Sequence, residues 1–100
     1  NQYKDTTFVN TSFDETVLNN MVFQDILFDE NLARNVKMTD TTFKNVNFKN
    51  VEVDNASFEN VKFKNCAFDN VVIKNATMSQ KLINELQKQH VELENVQPSK

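Results

Sequence analysis

Two side chains in this sequence could act as a nucleophile or a proton carrier near neutral pH: Cys66 and His90, each the only one of its kind. Together they would suit covalent catalysis if the imidazole stood within hydrogen-bond reach of the thiol. Their settings point elsewhere. Cys66 stands in a column of small and β-branched residues, where a thiol fills space and stays inert. His90 falls among Leu82, Ile83, Leu86 and Leu93, at the spacing of an apolar helix stripe. No second Cys or His exists to complete a metal site. Glycine is absent, so no phosphate-cradling loop can form, and there is no Ser-His-Asp set. Asp14, Asp29, Asp54 and Asp69 lie on columns that face water. The sequence thus predicts no catalytic, cofactor-binding or metal-binding residues, no cofactor and no small-molecule substrate; the chain is expected not to be an enzyme.

The elements behind these residues are set by one period. Every fifth residue from Tyr3 to Met78 is apolar, including Phe8, Phe13, Phe23, Phe28, Phe43, Phe48, Phe58, Phe63 and Phe68. Only Ala33 is small. Two positions earlier the residues are small or β-branched, as in Thr41, Val46, Val51, Ala56, Val61, Cys66 and Val71. Two positions later stand Asn or an acid, from Asp5 to Asn75. Five matches neither a helix nor a flat strand. A chain that turns a corner every five residues keeps the stripe inside, because alternate residues of an extended side share a face. Asn at the corners tolerates unusual backbone angles and bonds its own backbone, which also explains the missing Gly.

This grammar resembles the pentapeptide-repeat family, whose fold is a right-handed quadrilateral β-helix with four pentapeptides per coil. The resemblance runs from Asn1 to about Met78. Phe43-Lys44-Asn45-Val46-Asn47-Phe48-Lys49-Asn50 and Phe63-Lys64-Asn65-Cys66-Ala67-Phe68 are most like the luminal domain of synaptic vesicle glycoprotein 2. The fold class expected is an all-β solenoid of about four coils with a C-terminal α-helix: 1–78 the β-helix, 79–96 a capping or dimerising helix, 97–100 a tail.

Residues twenty apart should stack, about 4.8 Å from coil to coil. The four columns read Tyr3/Phe23/Phe43/Phe63, Phe8/Phe28/Phe48/Phe68, Phe13/Ala33/Val53/Ile73 and Leu18/Met38/Phe58/Met78. Asn65 over Asn45, Asn70 over Asn50 and Asn75 over Asn55 should form amide ladders. Phe48→Ala is expected to cost about 3–5 kcal/mol. The weakest stretch is 31–35. Strict phase puts Asn31 and Ala33 inside and Leu32 outside; the alternative, favoured because Ala33 leaves a void, turns Leu32 inward. After Met78, Ser79 is a good N-cap, and a helix is expected over 80–95, about 24 Å long. It either caps one copy or pairs two through Leu86, His90 and Leu93.

For function, net charge is −3, too mild to name an electrostatic partner. Lys44, Lys62 and Lys64 read as a solvated face rather than a nucleic-acid site. No apolar run is long enough to span a membrane, and no signal peptide is evident. The chain opens on Asn1 rather than Met, as a piece of a longer protein would. Val17, Val22, Leu27 and Leu32 form an apolar outward belt that could meet a protein. The first expectation is a rigid protein-binding or structural module, a monomer or a homodimer through its C-terminal helix. The resemblance implies a sharper version, a receptor domain for a clostridial neurotoxin that pairs a strand to its edge, with Phe63, Lys64, Asn65 and Phe68 as candidate contacts. Ala67 replaces the hydroxyl that would make Asn65 a glycosylation sequon. Two alternatives stand beside it: a designed scaffold, and a DNA mimic inhibiting a type II topoisomerase, which would need a longer and more acidic rod. Sequons at Asn10, Asn55 and Asn75 leave a luminal or extracellular location open, against a cytoplasmic one.

Overall fold

The computed structural model describes residues 2–99, with side chains described from residue 4 onward. The stack of Tyr3 on Phe23 is therefore seen only in backbone register, Tyr3 facing Phe23; its side chain lies outside the described residues.

The corners come first, because they fix everything else. Every fifth residue from Asp5 to Asn75 has a positive φ, between 51° and 61°. That left-handed region is hard for most L-residues, and Asn and Asp enter it most readily. Corners of the lower coils are also held from above: the N–H of Asn10 donates to the Asp29 carbonyl at 2.9 Å, that of Glu15 to Arg34 at 2.8 Å and that of Asn20 to Thr39 at 2.9 Å. This anchoring offsets the cost even at Glu15.

Between corners the chain is extended. The first coil is four short strands: β1 Gln2–Lys4, β2 Thr7–Val9, β3 Ser12–Asp14 and β4 Val17–Asn19. After β5, Val22–Gln24, the strands run unbroken round their corners as β6 Leu27–Lys44, β7 Asn47–Lys64 and β8 Ala67–Met78. All pairing is parallel with a shift of twenty residues, as in Phe28 facing Phe48 and Phe48 facing Phe68. The body measures 32 × 26 × 26 Å.

The lumen holds the core. Phe23, Phe43 and Phe63 stack with centroids 5.0 Å apart and planes within 9°. Phe8, Phe28, Phe48 and Phe68 do the same at 5.0–5.3 Å. The two columns meet edge to face, as at Phe43 and Phe48, 5.6 Å and 66°; both arrangements suit the ring quadrupole. Polar residues in the inward small-residue column turn back round the corner. The hydroxyls of Thr6, Thr11 and Thr41 donate to the carbonyls of Lys4, Val9 and Thr39. Thr41 is fully buried on these terms.

Asn31 makes the same bond, Nδ2 to the Asp29 carbonyl at 2.6 Å, and adds the Phe8 carbonyl at 3.0 Å. This corrects the favoured reading of the weak stretch. Asn31 and Ala33 are buried, at 4% and 9% exposure, and Leu32 stays outside, in register between Ser12 and Glu52. With Glu30 and Asn35 both locked at positive φ, the side cannot rotate to bring Leu32 in. The void beside Ala33 persists.

Ladder rungs join several corners: Asn65 to Asn45 at 2.6 Å, Asn70 to Asn50 at 2.8 Å, Asn60 to Asp40 at 2.7 Å, and Asn55 to Asn35. The expected rung from Asn75 to Asn55 is not made. Asn75 donates instead to Asp54 Oδ1 at 2.9 Å, a charged and therefore stronger acceptor.

The C-terminal segment also departs from expectation. Helix α1 spans Gln80–Lys88, with Ser79 Oγ accepting from the Leu82 N–H at 3.1 Å, but it stops well before residue 95. Val91 N–H bonds the Leu86 carbonyl and His90 N–H bonds the Gln87 carbonyl, each at 3.1 Å. This is a Schellman close, with His90 in the left-handed position at φ 64° and Val91 packing in the hydrophobic core with Leu86. The chain then returns to the repeat as β9, Glu92–Pro98, whose residues lie on Val72–Met78. Helix α1 thus replaces two sides of a fifth coil, and β9 supplies the other two.

Candidate functional site

Because α1 is helical, its backbone bonds are spent internally. Below it, Val61–Lys64 and Ala67–Asn70 form the last strands on their two sides, and β9 pairs with β8 only from Val72 onward. Asn45 N–H donates to the Lys64 carbonyl and Ala67 N–H to the Val46 carbonyl, both at 3.0 Å. Those groups face the coil beneath. By alternation along a strand, the backbone groups of Phe63 and Phe68 face upward, to the level of α1. Among the described strands none pairs there.

The side chains follow the same logic. Phe63 and Phe68 are inward but half-buried, against 3% exposure for Phe43 one coil down. Their rings meet edge to face at 5.5 Å and 71°. Between Val61–Lys64 and α1 lies a cleft of about 400 Å³, with Phe58, Val61, Phe63 and Leu82 at its floor and Lys62, Lys64, Lys81 and Glu85 at its margins. Lys64 is exposed, and Asn65 lies at the corner with its amide engaged by Asn45. Phe63 and Lys64 thus lie on one side and Phe68 on the next, on either side of the corner Asn65. The sequence did not disclose the cleft, whose far wall depends on where α1 lies.

The other candidates separate. Val17 is 71% exposed, and Val22, Leu27 and Leu32 are half-buried and outward. They occupy four successive sides of the quadrilateral, so no flat partner can touch all four at once. Leu86 is 1% exposed, His90 forms the turn after α1, and Leu93 belongs to β9 facing Ile73. The three do not share a helical face. Cys66 is half-buried, its Sγ 3.4 Å from the Phe43 carbonyl, and burial pushes its thiol up, which lowers its reactivity. No group of three metal-ligating side chains occurs among the described residues, and no described helix is long and apolar enough to cross a membrane.

Charge is organised by side. Lys44 and Lys64 stand adjacent in register, whereas Arg34 pairs with Asp14 at 2.8 Å and Lys74 with Glu52 at 3.9 Å on another side. The Arg34 guanidinium holds the Asp14 carboxyl below its ordinary range. Both groups are exposed, so the pair adds little stability.

The chain is similar to known proteins. A family model described as the SV2A/B/C luminal domain matches residues 1–73. No curated protein matches the sequence. Among solved structures, the chain is similar to trypsin-treated QnrB1, a plasmid-mediated fluoroquinolone resistance protein, at 11% identity and a TM-score of 0.31. That match covers 79% of this chain and 56% of the other, so the chain spans little more than half its length.

Proposed function

This chain belongs to the SV2A/B/C luminal-domain family, and from that footing we propose that it is a non-catalytic binding module that captures a protein by strand addition at the edge of its last full coil. The observation that carries this reading is the absence, among the described strands, of any pairing above Val61–Lys64 and Ala67–Asn70, where α1 stands in for a strand. An added strand would gain main-chain hydrogen bonds from Phe63 and Phe68, and Lys62 and Lys64 would select its side chains. The occupant that the family resemblance implies is the receptor-binding domain of a clostridial neurotoxin.

Helix α1 acts within one copy in this reading. Leu86 is committed to the core, which supports a monomer. Family membership supports a luminal or extracellular location, where the exposed corners Asn10, Asn55 and Asn75 would be open to glycosylation.

Hydrogen exchange with the toxin's receptor-binding domain tests the proposal. The Phe63 and Phe68 amides should exchange readily in the free protein and become protected in the complex. No binding at micromolar concentration removes the neurotoxin version. Protection confined to an outer face removes strand addition altogether.

A further inference from the structure

At the opposite end of the solenoid the lumen is incompletely filled. A cavity of about 300 Å³ lies beside Ala33. Its cause is one missing ring. The first two columns carry aromatic rings stacked at 5.0–5.3 Å, but the third passes from Phe13 to Ala33 to Val53. Phe13 meets Phe8 and Phe28 only edge to face, at 5.4 and 6.1 Å, and its upper face has a methyl group where its neighbours have a ring. The lock at Glu30 and Asn35 keeps Leu32 from filling the space. Phe8, Phe13 and Leu18 are half-buried, while Phe23 and Phe28 one coil up are buried.

We propose that this lumen binds a small apolar molecule with a single aromatic ring, seated over Phe13 in the place that Ala33 leaves vacant in the third column. Size supports it: an apolar cavity of about 150 Å³ already stays dry and takes up benzene. Chemistry supports it too. Apart from Thr16 and Asn31 the wall is apolar, and the Asn31 amide N–H groups are turned to the Phe8 and Asp29 carbonyls. A charged or strongly hydrated ligand would lose its water with only Asn31 Oδ1, a buried acceptor left without a hydrogen-bond partner, to replace it. An aromatic ring gains the same offset or edge-to-face contacts that order the rest of the core. The site is independent of the strand edge, which lies at the other end of the stack.

Toluene titrated into the full chain is the test, read by calorimetry and by thermal unfolding. Saturable binding is expected, and toluene at about ten times its dissociation constant should shift the folding equilibrium about elevenfold, a rise in Tm of about 5 °C or more. Ala33→Phe should fill the gap, raise Tm without ligand and abolish binding. Ala33→Leu should do the same to a lesser degree if the larger ring does not fit. Leu32→Ala, next door but outward, should bind as the parent does. The proposal is overturned by the absence of saturable binding, or by undiminished binding to both Ala33 variants. A mass that doubles with concentration and does not respond to toluene would also overturn it, giving the lumen to a second copy.

Discussion

Asn95 donates through Nδ2 to Oδ1 of Asn75 at 2.8 Å, making beside a nine-residue helix the corner rung that Asn75 itself does not make with Asn55 one coil below. The two residues are twenty apart, the same interval that separates Asn45 from Asn65 and Asn50 from Asn70. Helix α1 and its closing turn thus take up as much chain as the two sides they replace, and β9 lands in phase.

That landing depends on His90, which holds φ 64° at the Schellman turn. A side chain there costs about 1–2 kcal/mol in local sterics, part of which Gly returns to the unfolded chain as entropy. His90→Gly should therefore stabilise the protein by about 0.5–1 kcal/mol in urea unfolding. A loss of stability would mean that the imidazole makes a contact worth more than the strain.

The aromatic columns give a graded prediction. Phe43 is 3% exposed, and Phe43→Ala should cost about 3–5 kcal/mol. Phe48 is half-buried and should fall below that range. Equal losses at both positions would show that the upper coils are more tightly closed than their exposure implies.

Leu32→Ala separates the two phases of the weak stretch by stability alone. With Leu32 outward and half-buried, the change should lie within about 0.5 kcal/mol of neutral. A cost above about 2 kcal/mol, the lower bound for a core Leu, would put that side chain in the lumen.

A pH dependence follows from β9. The Glu92 carboxyl is raised above the ordinary glutamate range by its hydrogen bond to Glu94 and the repulsion of that second charge, with Lys74 opposing. A raised carboxyl means that the folded state binds more protons than the unfolded one between the two values, so stability grows as pH falls through that interval. Glu94→Gln should stabilise the protein at neutral pH, and its advantage should shrink on acidification through the titration of Glu92. Urea midpoints of parent and variant at about pH 7 and pH 4 check this; an advantage that persists in acid would assign it to something other than the carboxylate pair.

The sequence disclosed the coil nearly whole, because one period of five wrote the corner, the centre and the small inward slot into separate columns. The segment Phe63–Phe68 came from the family resemblance and not from the period, which places residues on sides and faces but does not say where the stack stops pairing. What the sequence hid turned on geometry that residue type does not encode. His90 gave no stop signal, because the usual marker of a left-handed turn is Gly or Asn, and its spacing from Leu86 and Leu93 imitated a helix. The trace of β9 was present in Val91, Leu93, Asn95 and Val96, which keep the inward, inward, corner, inward order of the repeat. Asn31 looked like a misfit until its amide was seen bonding the Asp29 carbonyl, as the Thr residues of that column do with theirs.

The half-roof formed by α1 bears on how copies of this molecule can meet. A β-solenoid with bare ends is a template for its own polymerisation, each copy seeding the next through its edge strands. Here the level that a stacked copy would need is occupied on two of four sides by a helix that projects above the strands below it. A whole coil cannot seat there, but a lone extended segment can enter beside the helix. In the strand-addition reading proposed above, the same element would work as a size filter, closing this end to a whole coil while leaving room for a single strand.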